Sequence, residues 1–115
     1  MPGSIYTADI KSDMPTSDQA LRRVDMAIST AKRSGASALK IIHGYGSTGK
    51  GGVIRTGVRR RLGELKTQGK IKAFIPGEDF SIFNAGARTA IQACAALRQD
   101  RDLDRQNNGV TIILL

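Results

Sequence analysis

At 115 residues the chain is long enough for one hydrophobic core and too short for two domains. Its 40% hydrophobic and 24% charged composition, with 13 glycines, excludes a disordered or fibrous protein, and an aromatic share of only 4% argues against a row of stacking aromatics for single-stranded bases. The formal net charge of +8 favours a polyanionic partner, nucleic acid above all.

Residues 4–11 (SIYTADIK) alternate, with Tyr6, Ala8 and Ile10 on one face, and read as a short half-buried strand. Asp13-Met14-Pro15 breaks it. Thr16 followed by Gln19 is a capping-box pattern ahead of Leu21, Val24, Ile28 and Ala31, which fall within about 80° of one helical face. This helix should close at Ser34-Gly35, where Lys32 and Arg33 suit its C-terminal dipole. Residues 38–42 are apolar enough for a central strand.

That strand stops at His43 and passes into Gly44-Tyr45-Gly46-Ser47-Thr48-Gly49-Lys50-Gly51-Gly52. Five glycines in nine residues exceed what one turn needs, and a strand, a glycine loop and a helix start together present unhindered amides to an anion. Ile54, Val58, Leu62 and Leu65 then recur at helical spacing, with Arg55, Arg59 and Lys66 within an arc of about 40° beside them. Residues 50–72 hold eight Lys and Arg against Glu64 alone, a balance of +7, so most of the net charge lies in this segment. The plain alternative is a solvated helix face.

Gly69 ends this helix, and residues 71–75 form a third strand closed by Pro76-Gly77. Asn84 can cap a shallow helix carrying Ala87, Ala90, Ile91, Cys94 and Leu97, while residues 99–108 (QDRDLDRQNN) read as a mobile polar loop. Residues 109–115 close the chain as a strand. The order β-α-β-α-β-(α)-β predicts an α/β two-layer sandwich, a four-stranded mixed sheet with two main helices on one face. One core should hold Leu21, Val24, Ile28, Ile41, Ile54, Val58, Leu62 and Ile112.

Lone Cys94 leaves no internal disulfide, and with one histidine there is no evident ligand cluster for a metal, so no cofactor is expected. No apolar run reaches membrane-spanning length and the first residues lack signal-peptide character, so a cytoplasmic protein without a membrane partner is expected. Gly44-x-x-x-x-Gly49-Lys50 matches most of a nucleotide-binding P-loop. Gly51 replaces the magnesium-holding Ser or Thr, however, and only 65 residues follow Lys50, too few for the usual parallel sheet.

Residues 41–55 resemble the signature of the Smr (small MutS-related) domain: an apolar strand, His-Gly-x-Gly, a small-residue turn, an aliphatic residue and Arg. Here these are His43-Gly44-Tyr45-Gly46, residues 47–52, and Val53-Ile54-Arg55. Gly109-Val110-Thr111 with the following aliphatics is similar to the family's last strand, so the resemblance covers most of residues 5–76 and 108–115 of one Smr-like domain spanning 1–115. Residues 77–108 are longer than the family's polar connection and form an insertion. Lys11 stands where the family's first strand carries a His after its Asp, which here is Asp9.

The resemblance implies nucleic-acid binding, DNA or RNA, and in some members nicking or RNA-cleaving endonuclease activity. His43 is then the candidate proton-transfer residue and Asp9 its orienting partner, because phosphodiester cleavage needs a group that moves protons near neutral pH. His43 is expected at a rim. Lys11, Lys50, Arg55, Arg59 and Lys66, with the backbone of Gly44, Gly46 and Gly49, are the candidate phosphate contacts. A non-catalytic binding module on the same surface is the alternative.

Overall fold

The computed structural model describes residues 3–44 and 50–115, with the side chains of residues 50 and 51 excepted. The elements run β1 (Ile5–Asp9), α1 (Ser17–Arg33), β2 (Ala38–Ile42), α2 (Lys50–Thr67), β3 (Ala73–Pro76), a 3-10 turn (Gly77–Asp79), α3 (Ala85–Ala93), a second 3-10 turn (Ala95–Gln99) and β4 (Val110–Leu114). The sheet order is β1-β2-β4-β3. β1 and β2 are parallel, Ile5 opposite Ala38 and Asp9 opposite Ile42, while β4 is antiparallel to both β2 and β3.

Local chemistry sets the helix ends. The Gln19 amide donates to Thr16 Oγ1 at 3.2 Å and the Thr16 amide to Gln19 Oε1 at 2.9 Å, so the expected capping box is formed. Gly35 and Gly69 follow α1 and α2 at φ of 78° and 75°, a left-handed conformation that glycine adopts without strain. α3 is capped by Asn84, whose Oδ1 accepts from the Ala87 amide at 2.9 Å. It ends at Ala93, before Cys94 and Leu97, although both of those side chains are buried.

Both faces of the sheet are covered. Val24, Ile28 and Ala31 of α1 and Ile54, Val58, Leu62 and Leu65 of α2 bury their stripes against Ile10, Leu39, Ile41 and Ile113, with Leu21 half-buried at the edge. This is the expected layer of two helices on one face. On the other face Ala87, Ala90, Ile91, Cys94 and Leu97 pack against Ala38, Ile75, Ile112 and Leu114, so residues 77–108 supply a further layer. Ile112 belongs to this second cluster, and the first-core position expected for it is filled by Ile113. All five residues of β4 are buried, so no apolar alternation marks which side chain faces which helix.

The polar loop at 100–107 is anchored to the sheet. Lys40, buried in β2, reaches Asp100 Oδ1 at 2.9 Å and Asp102 Oδ2 at 2.5 Å, while Asp102 Oδ1 accepts from Asn107 Nδ2 at 2.9 Å. An ammonium inside a sheet layer is tolerated only when paired in this way.

Candidate functional site

The parallel strands β1 and β2 end side by side, and the chemistry-bearing residues gather there. Beyond Asp9 the chain makes one more sheet contact, Ile10 N to Ile42 O at 3.0 Å, and then turns. Asp9 closes that turn by accepting from the amides of Lys11 and Ser12 at 2.8 and 3.1 Å and from Ser12 Oγ at 3.0 Å, with Lys11 Nζ 3.9 Å away. Partial burial raises its pKa, but these hydrogen bonds and the Lys11 charge prevail and hold it below its ordinary 3.8. Arg23 of α1 donates to Ile10 O at 3.2 Å and Ser12 O at 2.6 Å, pinning the turn from below.

Across from this turn, the amides of His43 and Gly44 both donate to Gly109 O at 3.0 Å. Gly44 has φ of 85°, and a Cβ there would lie 3.3 Å from Lys11 Cδ. Glycine is favoured by this left-handed conformation, and any side chain here would also have to push the Lys11 stem aside by a few tenths of an ångström.

His43 continues the Leu39 and Ile41 side of β2 and is 1% exposed. Its Nδ1 lies 3.1 Å from Gly44 O, and its Nε2 lies 2.9 Å from Thr111 Oγ1. A carbonyl oxygen only accepts, so Nδ1 carries the proton and Nε2 accepts from the Thr111 hydroxyl. That hydroxyl in turn accepts from Arg59 Nε at 3.5 Å. Burial lowers the His43 pKa, the bond to Gly44 O opposes this, and the charges of Arg59 and Arg55 reinforce the fall below 6.5. The ring is kept neutral.

Arg59 completes the chain of contacts. Its Nη1 and Nη2 donate to Glu78 Oε2 and Oε1 at 2.8 and 2.6 Å, and Nη2 also reaches Asn108 O at 3.5 Å. Partial burial raises the Glu78 pKa, but the hydrogen bond from Arg59 and the arginine charges outweigh it and hold the carboxyl below 4.5. Gly77 sets this geometry. A Cβ on it would lie 1.9 Å from Asn107 O and 2.7 Å from Val110 Cγ2, so only glycine lets the turn close onto β4 and present Glu78 to α2.

Several sequence-based expectations change. His43 lies in the interior and not at a rim, because it is the next inward position after Leu39 and Ile41. Asp9 shares its end of the sheet but spends its carboxylate on its own turn, and the ring partners of His43 are Gly44 and Thr111 instead. Lys11 and Gly44 are brought into contact. Arg55 stands one helical turn before Arg59, near enough to act on both His43 and Glu78. Lys66 is exposed in the last turn of α2, about 10 Å farther along the axis than Arg59. Gly46 and Gly49 lie outside the described residues, as does the side chain of Lys50. Glu78 and Asn108 are not among the residues the sequence points to, and Thr111 enters there only through the Gly109-Val110-Thr111 resemblance, with no role at the site. Thr111 alone left a signal, a hydroxyl within an aliphatic strand.

The Smr domain family model matches residues 13–79, more than half of the chain. The chain belongs to the Smr domain family. Its structure is similar to the crystal structure of the Smr domain of Thermus thermophilus MutS2, with 23% sequence identity, 96% of each chain covered and a TM-score of 0.59. The likeness establishes the shared α/β fold with its four-stranded mixed sheet. Comparison with curated proteins gives no match. Among the described residues no helix is long and apolar enough to cross a membrane.

Proposed function

We propose that this domain binds nucleic acid through its phosphodiester groups, at the end of the sheet where Lys11, Gly44, Arg55 and Arg59 converge. The observation that carries the reading is the placement of Arg55 and Arg59, one turn apart on the basic helix α2, beside His43. Guanidinium groups match phosphate oxygens in charge and in fork geometry. Lys50 and the amides of Gly46 and Gly49 extend the same surface on sequence grounds, and Lys66 is a contact only for a ligand that follows α2 along its length.

Binding should weaken steeply with salt, and each lost phosphate contact should lower the slope of log affinity against log salt by about 1. Titration of labelled branched DNA, duplex DNA and structured RNA tests this against Arg55→Ala/Arg59→Ala. Affinity that is indifferent to salt, or that survives the double substitution, would return α2 to a solvated face.

Phosphodiester cleavage is the second reading, favoured by one observation: His43 is held neutral with an unprotonated Nε2, the form a general base needs. Binding is preferred, since that nitrogen is buried and already engaged by Thr111. Scoring cleavage in the same titration for His43→Gln separates the two, because loss of cleavage with retained affinity would assign His43 a catalytic part.

A further inference from the structure

The described aromatic side chains divide sharply. Phe80 is buried, and Tyr6 and Phe74 pack against the α1/α2 core, whereas Phe83 is 85% exposed. Its backbone is nevertheless fixed on all sides. The Phe83 amide donates to Ser81 Oγ at 3.2 Å, the Ile82 amide to Asp104 Oδ1 at 3.1 Å, the Asn84 amide to Ser81 O at 3.0 Å, and Arg88 Nη1 to Ile82 O at 3.0 Å. The phenyl ring thus projects into solvent from a rigid turn with a guanidinium anchored beside it.

Phe83 also follows, five residues on, the Glu78 that is paired with Arg59. Cys94, at the far end of α3, meets Gly3 O at 3.3 Å just before β1 begins. The turn Gly77–Asp79, which holds Glu78 against Arg59, is only a few residues away, and Phe80 N bonds back to Gly77 O at 3.2 Å.

We propose that Phe83 is a stacking platform for an unpaired base, so that this surface takes a single-stranded or looped nucleic-acid segment in preference to continuous duplex. The inference rests on the nucleic-acid reading above. A flat ring accepts the face of any base, but in an uninterrupted duplex those faces are already covered by neighbouring pairs. Arg88 supplies charge complementary to the phosphates of the strand whose base meets the ring. One platform suffices for this, without the row of aromatics that the composition argues against.

The chain has no tryptophan and two tyrosines, so Phe83→Trp introduces a single, selectively excitable tryptophan at the proposed contact. The experiment compares a short single-stranded oligonucleotide with the same sequence closed into a duplex without unpaired bases, using wild type, Phe83→Ala and Phe83→Trp. Phe83→Ala should weaken single-strand binding about 5- to 150-fold, leaving duplex affinity and salt slope unchanged, since one stacked base is worth about 1–3 kcal/mol. The Phe83→Trp emission should be quenched as the single strand binds. Unchanged single-strand affinity in Phe83→Ala, equal losses on both ligands, or an unquenched Trp while anisotropy reports binding would each overturn the stacking inference. Self-association lost in Phe83→Ala would also overturn it in favour of a second copy of the chain. If salt-dependent binding is lost in Arg55→Ala/Arg59→Ala but untouched by Phe83→Ala, the nucleic-acid reading stands and stacking alone falls. Absence of binding by wild type would remove both.

Discussion

Arg59 and Glu78 meet in a two-point ion pair, with N–O distances of 2.8 and 2.6 Å, that ties the middle of α2 to the turn following β3. The carboxylate occupies the two-point face of the guanidinium that the proposed phosphate contact needs. Glu78→Gln should therefore tighten nucleic-acid binding and steepen its salt dependence. The gain should be at most about fivefold, because partly exposed pairs are worth about 0.2–1 kcal/mol. A Glu78→Gln protein that binds more weakly would mean that the carboxylate serves chiefly to hold Arg59 in place.

Stability should fall as pH drops below 6.5. The folded His43 pKa lies under that ordinary value, so between the two the unfolded chain takes up the proton that the folded one refuses. Stability present above pH 6.5 is thus lost as pH falls toward the folded pKa. Thermal melts from pH 8 to 5 should show this decline in wild type and a flatter profile in His43→Gln. A second decline belongs below about pH 4.5, where Glu78, Asp9 and Asp102, all held below their ordinary values, begin to protonate in the unfolded chain.

Gly77→Ala should destabilise the fold by about 3 kcal/mol, the upper range for overpacking, because the added methyl meets the Asn107 carbonyl and not a yielding side chain. The same shift would draw Glu78 from Arg59. Urea unfolding measures the first effect, and nucleic-acid affinity resembling that of Glu78→Gln measures the second.

Lys40→Met should cost about 3–5 kcal/mol, since it leaves Asp100 and Asp102 without their cation inside the second layer. Adding Asp102→Asn should recover part of that loss while keeping an oxygen for Asn107 Nδ2. Urea midpoints of the single and double variants test the coupling.

What was legible in the sequence followed from short-range periodicity. The Thr16–Gln19 box, the α1 and α2 stripes, the Asn84 cap and the succession of strands and helices along the chain needed only neighbours within a turn or two. Lys40 sat unremarked in an apolar strand because its partners lie 60 and 62 residues later. The Arg59–Glu78 pair left no trace for the same reason. His43 was misplaced because a glycine loop beside a strand suggests a rim, whereas the inward parity of Leu39 and Ile41 carries one residue past the end of β2.

β4 is made after β1, β2 and β3, yet it lies between β2 and β3 and pairs with both. Before β4 is made, β3 has no partner in the sheet, β2 has only β1, and the inner faces of α1 and α2 lack Ile113 beneath them. The sheet is completed only when residues 110–114 arrive. A growing chain must therefore keep the facing edges of β2 and β3 open until residues 110–114 have been made, so a stall before Val110 leaves those edges exposed to other chains.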